Sequence, residues 1–517
     1  MVLEVQDRAA PQSDPIAAAV KLRPRVLEGS EQRFGPSDPD PNLDLLQRPR
    51  IARLVRNRKF QFLLILPNQI VFWTVIFVGL LGTAIPGLNF GAAITWYVWF
   101  CLVFVMMVVV GRAWCAMCPF GGFAEWIQRR TLWQRTQKAL GLGRKFPEPL
   151  ARLGFILPVG TFLLLTWIEE FFNIAGPGNP AATSFMVIGI VVTALAFFLV
   201  FERRTFCRYI CPLTSLIGTV GSMGTVAGFR TKDRDVCLNC KTKDCMRGGE
   251  QGFGCPWYTW PASADSNLYC GLCSECYKSC PEGNVGLFLQ KPFTSVVAPR
   301  RRRADIAWAI ALLWGLVLYQ QINATNFFGV IDNWLNTELH FPHYPNPVDY
   351  LGMIGVLALA TAGVGWMIAK IFARRDLELD RPGAFADRSS RFRAFFVPFA
   401  YGLIPIVGAD YFARQLPKFL QHAPRVVPAV AHIFGASSSH SAIYNFSLAT
   451  NGWIVVVQVV VVALGTLAAA WSMWKISGRE LASISTSRLG VRLTTLAVVL
   501  GSGTVAALLY VIMHAAD

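Results

Sequence analysis

The chain is 517 residues long, 54% apolar and only 15% charged, with a mean hydropathy of +0.43, which excludes an ordinary soluble globular protein and points to a membrane protein. Its net charge of +17 would suit a nucleic-acid binder. The basic residues, however, sit in short blocks beside long apolar runs, where they anchor loops against anionic lipid, so no nucleic-acid partner is expected.

Residues 1–59 read as a disordered cytoplasmic tail, rich in proline and scattered charge and closed by Arg48, Arg50, Arg53, Arg56, Arg58 and Lys59. The start MVLEVQD has no apolar core of a cleaved signal peptide, so the first helix is expected to act as its own signal. Apolar runs of the roughly 20 residues needed to cross about 30 Å of hydrocarbon follow near 62–85, 92–110, 152–170, 183–201, 304–322, 350–372, 394–412, 452–474 and 491–513. Lys and Arg fill every second loop, including Arg112 to Lys145, Arg203 to Arg208 and Arg300 to Arg303. The expectation is an all-α polytopic membrane protein of about nine spans, N-in and C-out, in the cytoplasmic (inner) membrane.

Residues 60–230 form the first membrane domain, and its four helices contain a repeat. The second ends in Arg112-Ala113-Trp114-Cys115-x2-Cys118-Pro119, the fourth in Arg204-Thr205-Phe206-Cys207-x3-Cys211-Pro212. Repeated hairpins of this kind pack with functional groups at their junction, which would bring the four thiols together at the cytoplasmic face. They are candidates for a further metal centre, for disulfide cycling or for lining a quinone pocket. The unequal spacing argues against a site that treats the two pairs identically. Cys101, alone in mid-helix, reads as a packing residue. Phe120 to Leu140 reads as an interfacial amphipathic helix.

Residues 231–290 hold eight of the thirteen cysteines. Cys270-x2-Cys273-x2-Cys276-x3-Cys280-Pro281 is the spacing that wraps three thiolates round one iron-sulfur cube and sends the fourth to a neighbour, and Cys237-x2-Cys240-x4-Cys245-x9-Cys255-Pro256 is a looser copy. By the crossed rule, Cys237, Cys240, Cys245 and Cys280 hold one [4Fe-4S] cluster, and Cys270, Cys273, Cys276 and Cys255 the other. Disulfides need an oxidising compartment, and zinc sites usually space two CxxC pairs a dozen or more residues apart. A small α+β two-cluster ferredoxin-like insertion on the cytoplasmic side is expected.

The paired Arg-x-aromatic-Cys helix ends followed by this segment resemble the NapH/NosR/CcoG-type membrane polyferredoxins over residues 60–290. That resemblance implies electron movement between a membrane or cytoplasmic donor and a periplasmic enzyme, or service in metal-centre assembly. Cys115-x2-Cys118 is one residue shorter than the usual motif of that group.

Residues 291–517 add five helices, which the resemblance does not cover. The six histidines fall in the outer loops: His340 and His343, then His422, His432 and His440, and finally His514. They are candidates for metal or haem b ligation, or for a pH-sensitive docking surface. No Cys-x-x-Cys-His occurs, so c-type haem is not encoded, and no P-loop, GxGxxG or nucleophilic triad supports hydrolysis or phosphoryl transfer. The function expected is a membrane-bound iron-sulfur electron-transfer protein linking a cytoplasmic or quinone donor to a membrane or periplasmic redox enzyme. The alternatives are an assembly factor, such as a metal reductase for copper delivery, and a redox sensor.

Overall fold

The computed structural model describes residues 40–515 apart from 86, 134–139, 175–178, 300, 340–344, 375–387 and 437–441. Seven of its helices are long and apolar enough to cross a membrane, and a bent pair supplies an eighth. In the first unit, α1 (Arg58–Leu81) and α2 (Phe90–Val110) form a hairpin. Asn89 closes it, its side-chain oxygen accepting from the N–H groups of Gly91 and Ala92 while its amide donates to the carbonyls of Val78 and Thr83. The unit continues with α3 (Pro119–Arg129), α4 (Ile156–Phe171), α5 (Pro180–Val200) and α6 (Leu213–Gly221).

Two of the nine expected spans come out differently. The run at 152–170 becomes α4, only 16 residues long, which at 1.5 Å per residue reaches about 24 Å and falls short of the hydrocarbon core. The break comes at Gly154, whose φ of +55° ends the preceding short helix Glu148–Leu153. The run at 394–412 divides into α9 (Arg388–Gly402) and α10 (Ile404–His422), bent by 41° at Leu403 with Pro405 in the first turn of the second piece. The remaining long helices are α7 (Ala304–Asn323), α8 (Pro347–Phe372), α11 (Asn451–Ile476) and α12 (Arg488–Ala515). α7 is buried on most of its surface, whereas α1, α2, α5, α8, α11 and α12 each turn large apolar side chains outward, among them Leu63, Phe77, Leu102, Phe185, Leu359, Leu464 and Val505. That is the burial pattern expected of helices around one central helix with lipid outside. One apolar core runs from Phe104, Phe155 and Leu216 of the first unit into Leu313, Ile354 and Ile406 of the second.

The cysteine-rich insert enters on β1 (Val226–Thr231) and leaves on β2 (Val285–Leu289), an antiparallel pair that brings its two ends together. Residues 40–59 were expected to belong to a disordered tail, but they fold against this insert. The Asp44 carboxylate is buried, accepts from the Leu287 N–H at 3.0 Å and pairs with Lys232 at 3.7 Å, so it meets the otherwise open edge of β2. Arg56 and Arg58, basic residues placed in that tail, donate to the side chain of Gln251 at 3.0 Å and its carbonyl at 3.1 Å. Residues 1–39 lie outside the described residues. Arg302, read as a membrane anchor, is instead buried against Glu480 at 2.8 Å and ties the exit of the insert to the second unit.

Candidate functional site

The two repeated helix ends are built alike. α2 stops where Gly111 takes φ +77°, and the turn Trp114–Met117 carries Cys115 to Cys118, which is extended (ψ 124°) and hands over to Pro119, the first residue of α3. α5 stops before Phe201, the turn Phe206–Ile210 carries Cys207 to Cys211, again extended (ψ 117°), and Pro212 precedes α6. A residue before proline is driven out of the helical region by the proline Cδ, so each second cysteine ends its turn where the sequence says it must. The x2 and x3 spacings differ because the first turn is α-helical and the second is a π-helical turn, which holds one more residue per closure. The unequal spacing, which argued against equivalent pairs, is thus absorbed locally.

All four thiols line one apolar cavity of about 160 Å³, with Phe72, Trp99, Trp114, Arg204, Phe206 and Trp257 among its walls. Cys207 interacts electrostatically with Cys211, Cys118 and Cys115. Burial pushes the Cys118 thiol up to about 12 and the Cys211 thiol up to about 11, with the neighbouring thiols adding to both shifts. As free thiols, Cys118 and Cys211 are thereby disfavoured as nucleophiles. Two wall residues, Trp99 and Trp114, bury their Nε1 with no acceptor among the described residues. Arg112 is 1% exposed, reaches Cys115 Sγ at 3.7 Å and lies 4.3 Å over the Trp257 ring.

Beyond Trp257 the insert gathers its cysteines into two sets. Cys245 has Cys280, Cys237 and Cys240 as its strongest thiol neighbours, and Cys280 in turn has Cys237 and Cys240. Cys276 has Cys255, Cys273 and Cys270. Burial pushes the Cys245 thiol up to about 12. Leu272 and Ser274 both adopt left-handed φ on either side of Cys273, a costly conformation that recurs where a loop is shaped for function. Gly228 has φ +93°, and a Cβ on it would stand 2.7 Å from Cys270 Sγ, so only glycine lets β1 come this close.

Donors converge on the sulfurs: Thr231 Oγ1 lies 3.0 Å and Asn284 Nδ2 3.3 Å from Cys237, the Thr259 N–H 3.3 Å from Cys255 and the Phe229 N–H 3.4 Å from Cys270. Such bonds favour sulfur carrying negative charge. Among the described residues no three His, Cys, Asp or Glu side chains close on a single metal ion.

Arg204 stands between the two regions. It is 1% exposed and interacts with both Cys207 and Cys273. It also donates to the Cys115 carbonyl at 3.2 Å and pairs with Glu125 Oε2 at 2.5 Å. Burial alone would raise the Glu125 carboxyl, but Arg129 and Arg204 hold it below its ordinary value of 4.5. Glu125 lies on α3, the stretch read as an interfacial amphipathic helix. Sequence reasoning missed it because a lone Glu among Arg129, Arg130 and Arg135 looks like a surface charge. Trp257 was missed too: it is 2% exposed, lines the four-thiol space, and has its Nε1 against Gly271 of the Cys270–Cys273 loop.

The histidines do not form a common site among the described residues. His422 packs its ring 5.1 Å from Tyr97, His432 Nδ1 meets the Ala436 carbonyl at 3.2 Å and His514 Nε2 meets Gln458 at 3.2 Å. His340, His343 and His440 lie outside the described residues.

The family model described as "4Fe-4S binding domain" matches two segments, residues 92–139 and 183–229. These are the two helix ends carrying Cys115 and Cys118, and Cys207 and Cys211. No curated protein and no solved structure matches the chain.

Replacing Glu125 with Gln keeps the shape and leaves Arg204 as an uncompensated buried charge, at an expected cost of about 3–5 kcal/mol, read as a lowered thermal unfolding midpoint. Because the folded Glu125 value is depressed, its contribution is fully present above 4.5 and is lost as pH falls below that. The wild-type protein therefore loses midpoint on acidification through this range, while Glu125→Gln shows a shallower loss. Equal slopes would remove Glu125 from the acid response.

Proposed function

We propose that the chain is a membrane-bound iron-sulfur electron-transfer protein, with two [4Fe-4S] clusters in the insert and a metal-holding or redox-active thiol site at the helix ends. The observation that carries this reading is the grouping of twelve thiols into two fours in the insert and one four in the membrane unit, with Trp257 and Arg204 between insert and membrane unit. Cys237, Cys240, Cys245 and Cys280 would hold one cluster, and Cys255, Cys270, Cys273 and Cys276 the other. Bound there, such clusters supply one-electron chemistry over a wide range of potentials. The chain's own part is to exclude water, to aim donors at the sulfurs from Thr231, Asn284, Thr259 and Phe229, and to set positive charge between the sites through Arg204. For Cys115, Cys118, Cys207 and Cys211 the unsatisfied indole donors of Trp99 and Trp114 on the same walls favour ligands of a further anionic metal centre over packing cysteines.

The insert faces the cytoplasm in this reading, because it is flanked by Arg203, Arg204, Arg208 and Arg300 to Arg303. In the same reading the carrier sits in the cytoplasmic membrane, its long apolar helices supporting a membrane-spanning protein, and exchanges electrons with a cytoplasmic or membrane donor and a redox enzyme in the membrane or beyond it. An assembly factor that reduces or hands over metal is the rival class. It differs in outcome, since loss of an assembly factor leaves a partner enzyme made but lacking its metal.

Anaerobically purified protein is expected to contain about eight iron and about eight acid-labile sulfide in the insert, with EPR signals of interacting clusters on reduction. Cys280→Ser damages the cluster shared with Cys237, Cys240 and Cys245, and selective loss of the other signal would reverse the crossed assignment.

The double substitution Cys118→Ala with Cys211→Ala leaves the insert's EPR signals in place and stops electron exchange with a membrane partner. Loss of iron beyond the insert's complement in that variant identifies the four thiols as ligands. Full partner reduction with unchanged iron would return them to a packing role. Cys101→Ala is nearly silent in both assays.

A further inference from the structure

The proposed function leaves the second helical unit without a role, yet that unit encloses a carboxyl that has no ordinary reason to be there. Asp410 of α10 is 0% exposed, in the region where α10 meets α7, α11 and α12. Gln321 of α7, also 0% exposed, donates from Nε2 to Asp410 Oδ1 at 2.5 Å. Tyr510 of α12 sets its hydroxyl against the side chains of both Asp410 and Gln321, with its single proton directed to the Asp410 main-chain carbonyl at 3.1 Å. Two atoms of the pair are left without a partner among the described residues, Asp410 Oδ2 and Gln321 Oε1.

If Asp410 is ionised, both leftover atoms are acceptors and neither can satisfy the other. An amide offers a carboxyl one donor and one acceptor; a carboxylate answers with acceptors alone, whereas a carboxylic acid answers with one of each. A single proton on Asp410 therefore supplies the donor that Gln321 lacks and satisfies both orphaned atoms together. Turning the Gln321 amide over exchanges its oxygen and nitrogen and leaves the same requirement.

The surrounding charges do not offer a substitute. Arg414, one turn further along α10, is engaged by Glu170 of α4 at 3.7 Å and by the Gln320 carbonyl at 3.2 Å. Lys418, a further turn on, interacts first with Glu169. From α11, Gln458 donates to the Ala413 carbonyl at 3.0 Å and meets His514 of α12 through its oxygen. The other titratable groups around Asp410 are the Tyr510 hydroxyl and Tyr411, whose ring turns away to stack on Phe104 at 6.1 Å. Arg414 thus acts on Asp410 only from a distance while paired elsewhere, and an ionised carboxyl enclosed among apolar helices without a cation of its own is among the costliest groups a membrane protein can carry.

We propose that Asp410 is a proton-binding site of the second helical unit, its acid form held by Gln321 as an acid–amide pair. The ligand is a proton, bound on one carboxyl oxygen and donated to the Gln321 amide oxygen. Because Tyr411 beside it packs on Phe104 of α2, the site lies one residue from the contact between the two units.

The test is infrared absorption of the full-length protein in lipid at neutral pH. The wild type shows the carbonyl stretch of a protonated carboxylic acid, shifted by carbon-13-labelled aspartate, and Asp410→Asn removes it. Asn restores one donor and one acceptor towards Gln321, so this variant keeps the wild-type unfolding midpoint, whereas Asp410→Ala lowers it. A band that Asp410→Asn leaves unchanged overturns the proposal. So does the absence of any protonated-aspartate band in the labelled wild type, a measurement that needs no variant to fold.

Discussion

The arrangement depends on one buried ion pair, Arg204 with Glu125 at 2.5 Å, both almost without solvent contact. A pair of this kind is a weak source of net stability, because desolvating two charges offsets most of their attraction. Its effect is on position. Glu125 comes from α3, the helix that begins at Cys118-Pro119, and Arg204 comes from the equivalent end of the other hairpin. Each charge is tolerable in that place only if the other helix end is also there. Arg204 then reaches the Cys115 carbonyl and interacts with Cys207 on one side and Cys273 on the other. Docking of the two hairpins and seating of the insert are therefore one event, and neither can slip without stranding a charge.

The repeat shows how a local rule can survive a length difference. Both second cysteines precede proline, both are extended, and both release the chain into a new helix. The extra residue of the second copy is taken up inside the turn by π-helical closure, so that its two cysteines still face the shared space. Nothing outside the turn has to move. Gly111 serves the first copy by reversing the chain with φ +77°, and Arg203 serves the second with φ 54°, an expensive choice for a side-chain-bearing residue that is held by a bond to the Cys255 carbonyl at 2.9 Å.

The legible parts of the sequence were those fixed by short-range spacing. The clustering of the insert's cysteines, the Cys-Pro helix ends and most apolar spans could be read because they follow from intervals of two to four residues or from runs of about 20. What could not be read depends on partners far away in sequence. Asp44 reads as one acid in a proline-rich tail until β2, some 240 residues later, presents an unpaired Leu287 N–H. Glu125 looks solvated until Arg204 arrives. The run at 152–170 looks long enough to span until Gly154 takes a positive φ and shortens it. Asp410 sits in Gly408-Ala409-Asp410-Tyr411, which looks like the loop-side end of a span, and only the bend at Leu403 carries it into the core.

The membrane thiols and the insert thiols differ in a way that bears on their chemistry. In the insert, backbone and side-chain donors already point at individual sulfurs, so negative charge there is met by bonds the protein has formed. Around the four-thiol space the donors are unspent: the indole N–H groups of Trp99 and Trp114 are buried with no partner among the described residues. Protonated thiols accept such bonds poorly, and burial favours the protonated form of Cys118 and Cys211. Donors and thiols are mismatched as long as both stay neutral.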